Sequence, residues 1–159
     1  MQVNFIGKVL ALVVMVSPLA KADEFETVGN RFHIDPLLLK AIARKESGLY
    51  NQAINNKNTN HTIDVCMMGI NSSHFKELGR FGISRTRLLN EPKVCVAAGA
   101  WILNGFFEKY GRSWNTVGMY NTGASAKLKG QRNDYAASVK DIYNKLAKQM
   151  GTQSDPFAG

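Results

Sequence analysis

Two carboxylates stand out by their setting. Glu46 follows Leu39, Ile42 and Ala43 by seven, four and three residues, spacings that put all four side chains on one face of a helix. The apolar face of a helix in a small domain turns to the core, so Glu46 is expected at the edge of an apolar surface. Burial there disfavours the charged form and raises the pKa. A general acid working near neutral pH needs that property. Periodicity leaves another reading open, in which Glu46 pairs with Arg44 or Lys45 or points to solvent at a fraying helix end. Asp64 lies 18 residues further on, beyond a polar loop. Glycoside cleavage commonly uses two carboxylates in different settings, one protonated and one ionised. An isolated Asp is also a frequent turn former, so both roles stay open for Asp64.

The elements that must position these residues read as mostly helical. Phe25 to Phe32 is a short amphipathic stretch. Asp35-Pro36 is a strong helix start, with Asp35 as N-cap and Pro36 at the first helical position; Gly48 ends that helix. An Asn-rich polar loop covers 51–61, and 62–66 reads as a short strand or extended segment. Ser72 or Ser73 is expected to cap a helix running through His74 to Leu78. Glu91-Pro92 opens what reads as the longest helix, reaching about Tyr110, and its stretch from Val94 to Phe107 is apolar nearly all round, as a buried central helix should be. Trp114 to Tyr120 reads as another short helix. Asp134 is expected to cap the last one, which ends before Gly151. Trp101 and Trp114 are read as packing residues rather than sugar platforms, and His33, His61 and His74 as surface or cap residues. Nothing in the pattern suggests a repeat, a linker or a second domain.

The chain has 159 residues, enough for one domain with a sizeable core. Residues 1–22 read as a signal peptide: Lys8, an unbroken apolar run from Val9 to Val16, Pro18, and a small-x-small cleavage pattern at Ala20-Lys21-Ala22. The run falls short of the roughly 20 apolar residues that span a bilayer, so a membrane anchor is the lesser reading. Removing that segment with its two lysines lowers the net charge from +8 to +6. A basic surface suits an anionic polymer; export favours the bacterial wall over nucleic acid. Cys66 and Cys95 are the sole cysteines, and an even count in an exported chain reads as one disulfide. Closing a loop of about 30 residues stabilises by roughly 3.6 kcal/mol on the chain-entropy model. Two cysteines without a nearby histidine make no zinc set, and neither a metal nor a cofactor is expected. No sequence pattern supplies the helping base that a catalytic thiol needs.

Four segments then resemble, in order, the motifs of the lysozyme-like (SLT-domain) lytic transglycosylases. Glu46-Ser47 at a helix end is similar to the first. Asp64-Val-Cys-Met-Met-Gly-Ile-Asn-Ser is similar to the second, usually written Gly-Leu-Met-Gln-Ile-Asn. Met119-Tyr120-Asn121-Thr122-Gly123 resembles the third, Ala-Tyr-Asn-Ala-Gly, and Tyr135-Ala136 the fourth, a tyrosine on the last helix. The resemblance covers about 35–145. As a short exported domain, the chain most resembles the specialised transglycosylases of type III and type IV secretion systems, which open local gaps in the wall. It implies an α+β fold, mainly α, with a lysozyme-like domain over 23–150, a small β element near 60–66 and a flexible tail over 151–159.

The resemblance also implies roles. Glu46 would protonate the oxygen between N-acetylmuramic acid and N-acetylglucosamine, then take a proton from the muramic 6-hydroxyl as a 1,6-anhydro ring forms. Asp64 would stabilise oxocarbenium charge or act as in a retaining lysozyme. Ser47 and Asn121 would hydrogen-bond sugar groups, Met68 would pack against a ring, and Tyr135 would orient Glu46. Tyr120 is equally read as core, and Asn71 as a cap of the following helix. The implied partners are peptidoglycan glycan strands and a secretion-system subunit, with the protein a periplasmic monomer that binds no nucleic acid. Two departures matter. Cys66 stands in place of the family's Gly, which a bond to Cys95 would explain by pinning the motif to the long helix. Gly69 replaces Gln and removes an amide from the cleft. A Glu followed 18 residues later by an Asp is similar to the animal lysozymes, so a hydrolytic lysozyme is the alternative, with a non-catalytic wall-binding scaffold a further one.

Overall fold

The computed structural model describes residues 23–152 and 155–157. The signal segment expected over 1–22 lies outside the described residues, as do tail positions 153, 154, 158 and 159. The element order is α1 (Glu24–Phe32), α2 (Pro36–Ser47), β1 (Ile54–Asn55), β2 (Asp64–Val65), β3 (Ile70–Asn71), α3 (Phe75–Gly79), α4 (Arg85–Asn90), α5 (Pro92–Tyr110), α6 (Trp114–Thr122) and α7 (Lys129–Gln149). Single 3-10 turns precede α3 and α7.

The start of α2 follows its sequence signals. Asp35 Oδ1 accepts the Leu37 N–H at 2.7 Å, Pro36 sits at the first turn, and Gly48 closes the helix in the left-handed region at φ 67°. Leu38, Leu39, Ala41, Ile42 and Ala43 are at most 1% exposed; each large apolar side chain so buried contributes about 1.5–3 kcal/mol. Helix α5 is the central element, in contact with α1, α2, α4 and α6. Gly99 lets it approach the site closely: a Cβ there would fall 2.5 Å from Met68 Cε and 2.9 Å from the Tyr120 hydroxyl. Helix α7 packs along α2 and α6 and runs antiparallel to α2, since Tyr143 reaches Asp35 and Tyr135 reaches Glu46.

The β element is a three-stranded antiparallel sheet in the order β1-β2-β3. Asp64 pairs with Asn55 on one side and with Asn71 on the other. The Cys66–Cys95 disulfide joins the β2–β3 connection to α5. The structure is thus mainly helical with a small sheet, as the resemblance implies.

Several elements differ from the sequence expectation. Among the described residues the longest helix is α7, with 21 residues against 19 for α5. It starts at Lys129, so Asp134 lies inside it, exposed, and caps nothing. A preceding 3-10 turn feeds α7 directly, and buried Arg132 in its first turns reaches back to the Ser125 carbonyl at 2.6 Å. Asn71 caps the turn before α3 by accepting the Ser73 N–H, which is one of its two expected roles, while Ser72 and Ser73 lie within that turn rather than capping it. Strand β1 sits inside the loop expected over 51–61, and α4 is an additional helix. In the segment expected as a flexible tail, Phe157 sets its ring edge-on to Phe107 and Trp114. Both tryptophans serve in packing: Trp114 also meets Tyr143 edge-on, and Trp101 meets Phe81.

Candidate active site

Glu46 occupies the last turn of α2, where the apolar stripe of that helix ends against α7 and the β2–β3 turn. Its Oε1 accepts the Tyr135 hydroxyl at 2.5 Å. Its Oε2 lies against Gly69, close enough that a Cβ on Gly69 would stand 2.7 Å away. Burial is the largest influence on its protonation and pushes the carboxyl up to about 7. The Tyr135 hydrogen bond works in the opposite direction by favouring the anion, the charge on Asp64 raises it further, and Lys45 lowers it slightly. Glu46 forms no ion pair with Arg44 or Lys45 in the structure, and both of those residues are exposed. A carboxyl near half-protonation at neutral pH can both give and take a proton.

Tyr135 is buried on α7. Burial first, then the neighbouring Glu46 charge, push its phenol and that of Tyr120 well above the ordinary value, so both stay protonated donors. Tyr120, on α6, donates to the Met68 carbonyl at 2.8 Å. That bond ties α6 to the β2–β3 turn and makes Tyr120 a brace for the second motif.

Asp64 is held by three amides. Oδ2 accepts from Asn58 at 2.9 Å and Asn55 at 3.1 Å, and Oδ1 accepts from Asn71 at 2.7 Å. These bonds fix an anion at a defined place in the sheet, near enough to raise Glu46. Sequence reading passed over Asn55 and Asn58 as loop polarity; the available signal was an Asn-rich loop directly before an acid.

The other candidates divide by exposure. Ser47 donates to the carbonyls of Met67 at 3.0 Å and Ala43 at 3.3 Å, and accepts the Tyr50 N–H, so it brackets the end of α2 to the second motif. Met68 is fully buried and packs against Gly99 of α5, with no face open to a sugar ring. Asn71 bonds Asp64, Thr62 and the Ser73 N–H. Asn121, beside Tyr120 at the end of α6, is exposed. The Cys66–Cys95 bond stands directly behind the turn, with Cα atoms 6.2 Å apart, and Cys95 Sγ also accepts the Met68 N–H at 3.3 Å. Cys66 takes φ 62°, a left-handed conformation unusual outside glycine. That explains why a glycine is the common residue there, and the disulfide holds the cysteine in its place.

Comparison with known proteins matches the chain to the transglycosylase SLT domain over residues 23–143. It is 39% identical over 141 residues to "Protein IpgF" of Shigella flexneri, covering 89% of this chain and 92% of that protein. It is 40% identical over 134 residues to "Invasion protein IagB" of Salmonella typhi, covering 84% and 82%. An Escherichia coli "X polypeptide" is 37% identical over 133 residues, with 82% and 78% covered.

Proposed function

Because the chain belongs to the transglycosylase SLT domain family and is a lytic transglycosylase, we propose that it cleaves the β-1,4 bond between N-acetylmuramic acid and N-acetylglucosamine of peptidoglycan, leaving 1,6-anhydro ends, with Glu46 as the acid and base. The observation that carries this reading is Glu46 itself: half-buried, hydrogen-bonded by a buried tyrosine, and raised to about 7. In the first step Glu46 gives its proton to the bridging oxygen, and the N-acetylglucosamine side leaves as an alcohol. The muramic 6-hydroxyl then attacks the anomeric carbon while the Glu46 carboxylate takes that hydroxyl's proton. The acid is regenerated and no water is consumed. Tyr135 fixes the orientation of Glu46 through both steps.

Asp64 supplies a fixed negative charge that stabilises oxocarbenium character. Asn121 is the substrate contact among the third-motif residues. Ser47, Met68, Asn71 and Tyr120 shape the site from behind. A periplasmic location follows from the expected signal segment and from a wall substrate. No helix among the described residues is long and apolar enough to cross a membrane. One relative carries the name of an invasion protein, which supports local opening of the wall for a secretion apparatus as the biological purpose, with a subunit of that apparatus as partner.

The charge of Asp64 acting on Glu46 favours one second reading, a hydrolytic lysozyme that uses both carboxylates. Digestion in water labelled with heavy oxygen separates the two. A transglycosylase incorporates no label into the new muramic ends; labelled reducing ends would establish hydrolysis.

A further inference from the structure

Gly69 closes the turn between β2 and β3, where its N–H donates to the Cys66 carbonyl at 3.0 Å. A Cβ placed on it would meet three atoms of one side chain: Glu46 Oε2 at 2.7 Å, Cδ at 3.1 Å and Cγ at 3.2 Å. Contacts under 3.0 Å are essentially never seen for a real Cβ, so one partner would have to move. The turn is poorly placed to do so. Cys66 is bonded to Cys95, the Met67 carbonyl holds Ser47, and the Met68 carbonyl holds Tyr120. Glu46 would be the part that moves, and its other oxygen would leave Tyr135.

We propose that Gly69 is a positioning residue for Glu46: its bare Cα forms the wall against which the carboxylate lodges while Tyr135 holds the opposite oxygen. The amide that a glutamine would bring to this position is exchanged for a close seat for the acid. The inference rests on the glycan-cleaving reading of Glu46, and its structural half can be measured without any substrate.

The test compares Gly69→Ala with Gly82→Ala. Gly82 has a similar backbone, φ 69° against 61°, but no atom within 4 Å of a built Cβ, so it reproduces the conformational cost without the contact. Carbon NMR titration of the Glu46 carboxyl in wild type should give about 7. Gly69→Ala should move it further up, because the carboxyl leaves Tyr135, whose bond favours the anion, and, on isolated sacculi, cost about 100-fold in rate, the typical loss for a catalytic group misplaced by ~1 Å. Gly82→Ala should change neither. Thermal unfolding adds a second readout. On a Glu46→Ala background, the Tm loss from Gly69→Ala should shrink to that of Gly82→Ala; if Gly69→Ala fails to fold alone, it should fold on that background. An unchanged titration in Gly69→Ala, a Tm loss that Glu46→Ala does not relieve, or a faster Gly69→Gln enzyme would each overturn the proposal. Wild type that leaves sacculi intact would defeat the glycan-cleaving reading instead, while the titration and unfolding still decide the role of Gly69.

Discussion

Helix α2 carries a carboxylate bonded to a tyrosine of α7 at each end. At its N-terminus Asp35 accepts the Tyr143 hydroxyl at 2.6 Å and the Leu37 N–H at 2.7 Å. At its C-terminus Glu46 accepts the Tyr135 hydroxyl at 2.5 Å and sets its second oxygen against Gly69. The paired groups are alike and their uses differ. A helix N-terminus offers unpaired N–H groups and partial positive charge to a carboxylate, and Asp35 takes one of those N–H groups. A C-terminus presents carbonyls and partial negative charge, and the Tyr135 bond and Lys45 offset the burial of Glu46 only in part. One pair is a clamp between α2 and α7; the other holds a proton that can be given away.

The sharpest break in this comparison is Glu46→Gln. Loss of a general acid costs about 100- to 10,000-fold in rate, while Gln keeps the Tyr135 contact and the fold. The stability effect has the opposite sign. With a folded value of about 7 against 4.5, the wild-type carboxyl contributes stability in full below about 4.5, and that contribution disappears as pH rises through 7. The full difference is on the order of 3 kcal/mol, with solvent screening reducing it. Glu46→Gln should therefore melt above wild type at pH 8 and level with it at pH 4; a lower Tm at pH 8 would contradict the burial of the acid.

Changing the other end should do the reverse. Asp35→Ala removes the helix cap and leaves the buried Tyr143 hydroxyl without this acceptor, a loss of about 2–3 kcal/mol in chemical denaturation. The rate per folded molecule should stay near wild type, and a loss as large as that of Glu46→Gln would erase the distinction between clamp and acid. Asp64→Asn probes the second charge that acts on Glu46. It should lower the rate about 10-fold or more and move the alkaline limb of the pH-rate profile down, because the Asp64 charge raises Glu46. An unchanged rate and limb would make Asp64 a sheet residue alone. The smallest effect is expected for Tyr135→Phe. Removing a bond that favours the Glu46 anion should shift that limb upward by up to about one pH unit, the equivalent of a ~1.4 kcal/mol hydrogen bond, with a reduced maximum rate from looser orientation.

Local signals were the ones that sequence could carry. Helix α2 was legible because its cap, its first-turn proline, its closing glycine and its apolar period all agree. The same logic misplaced the start of α7, which a 3-10 turn feeds directly and which has no side-chain cap. Strand β1 has two residues and exists through its pairing with β2, so an Asn-rich loop gave no period to read. Helix α4 did carry a signal, Ser84 accepting the Arg87 N–H, that its charged sequence obscured. Spacing puts Glu46 at the edge of an apolar helix face and leaves an ion-paired or exposed reading open, which the fold closes. Tyr135 entered through the family resemblance, since nothing local links it to a residue 89 positions earlier. The contact of Gly69 with Glu46 and the amide grip on Asp64 are tertiary facts. A glycine in place of a glutamine read as a missing substrate contact, and only the fold shows what fills the space.

The most direct measurement is mass analysis of muropeptides released from purified sacculi by wild type and Glu46→Gln side by side. Wild type should release 1,6-anhydro-muramyl products and Glu46→Gln almost none. Reducing ends from wild type, or equal release by the two proteins, would contradict the assignment of Glu46 as the acid of a lytic transglycosylase.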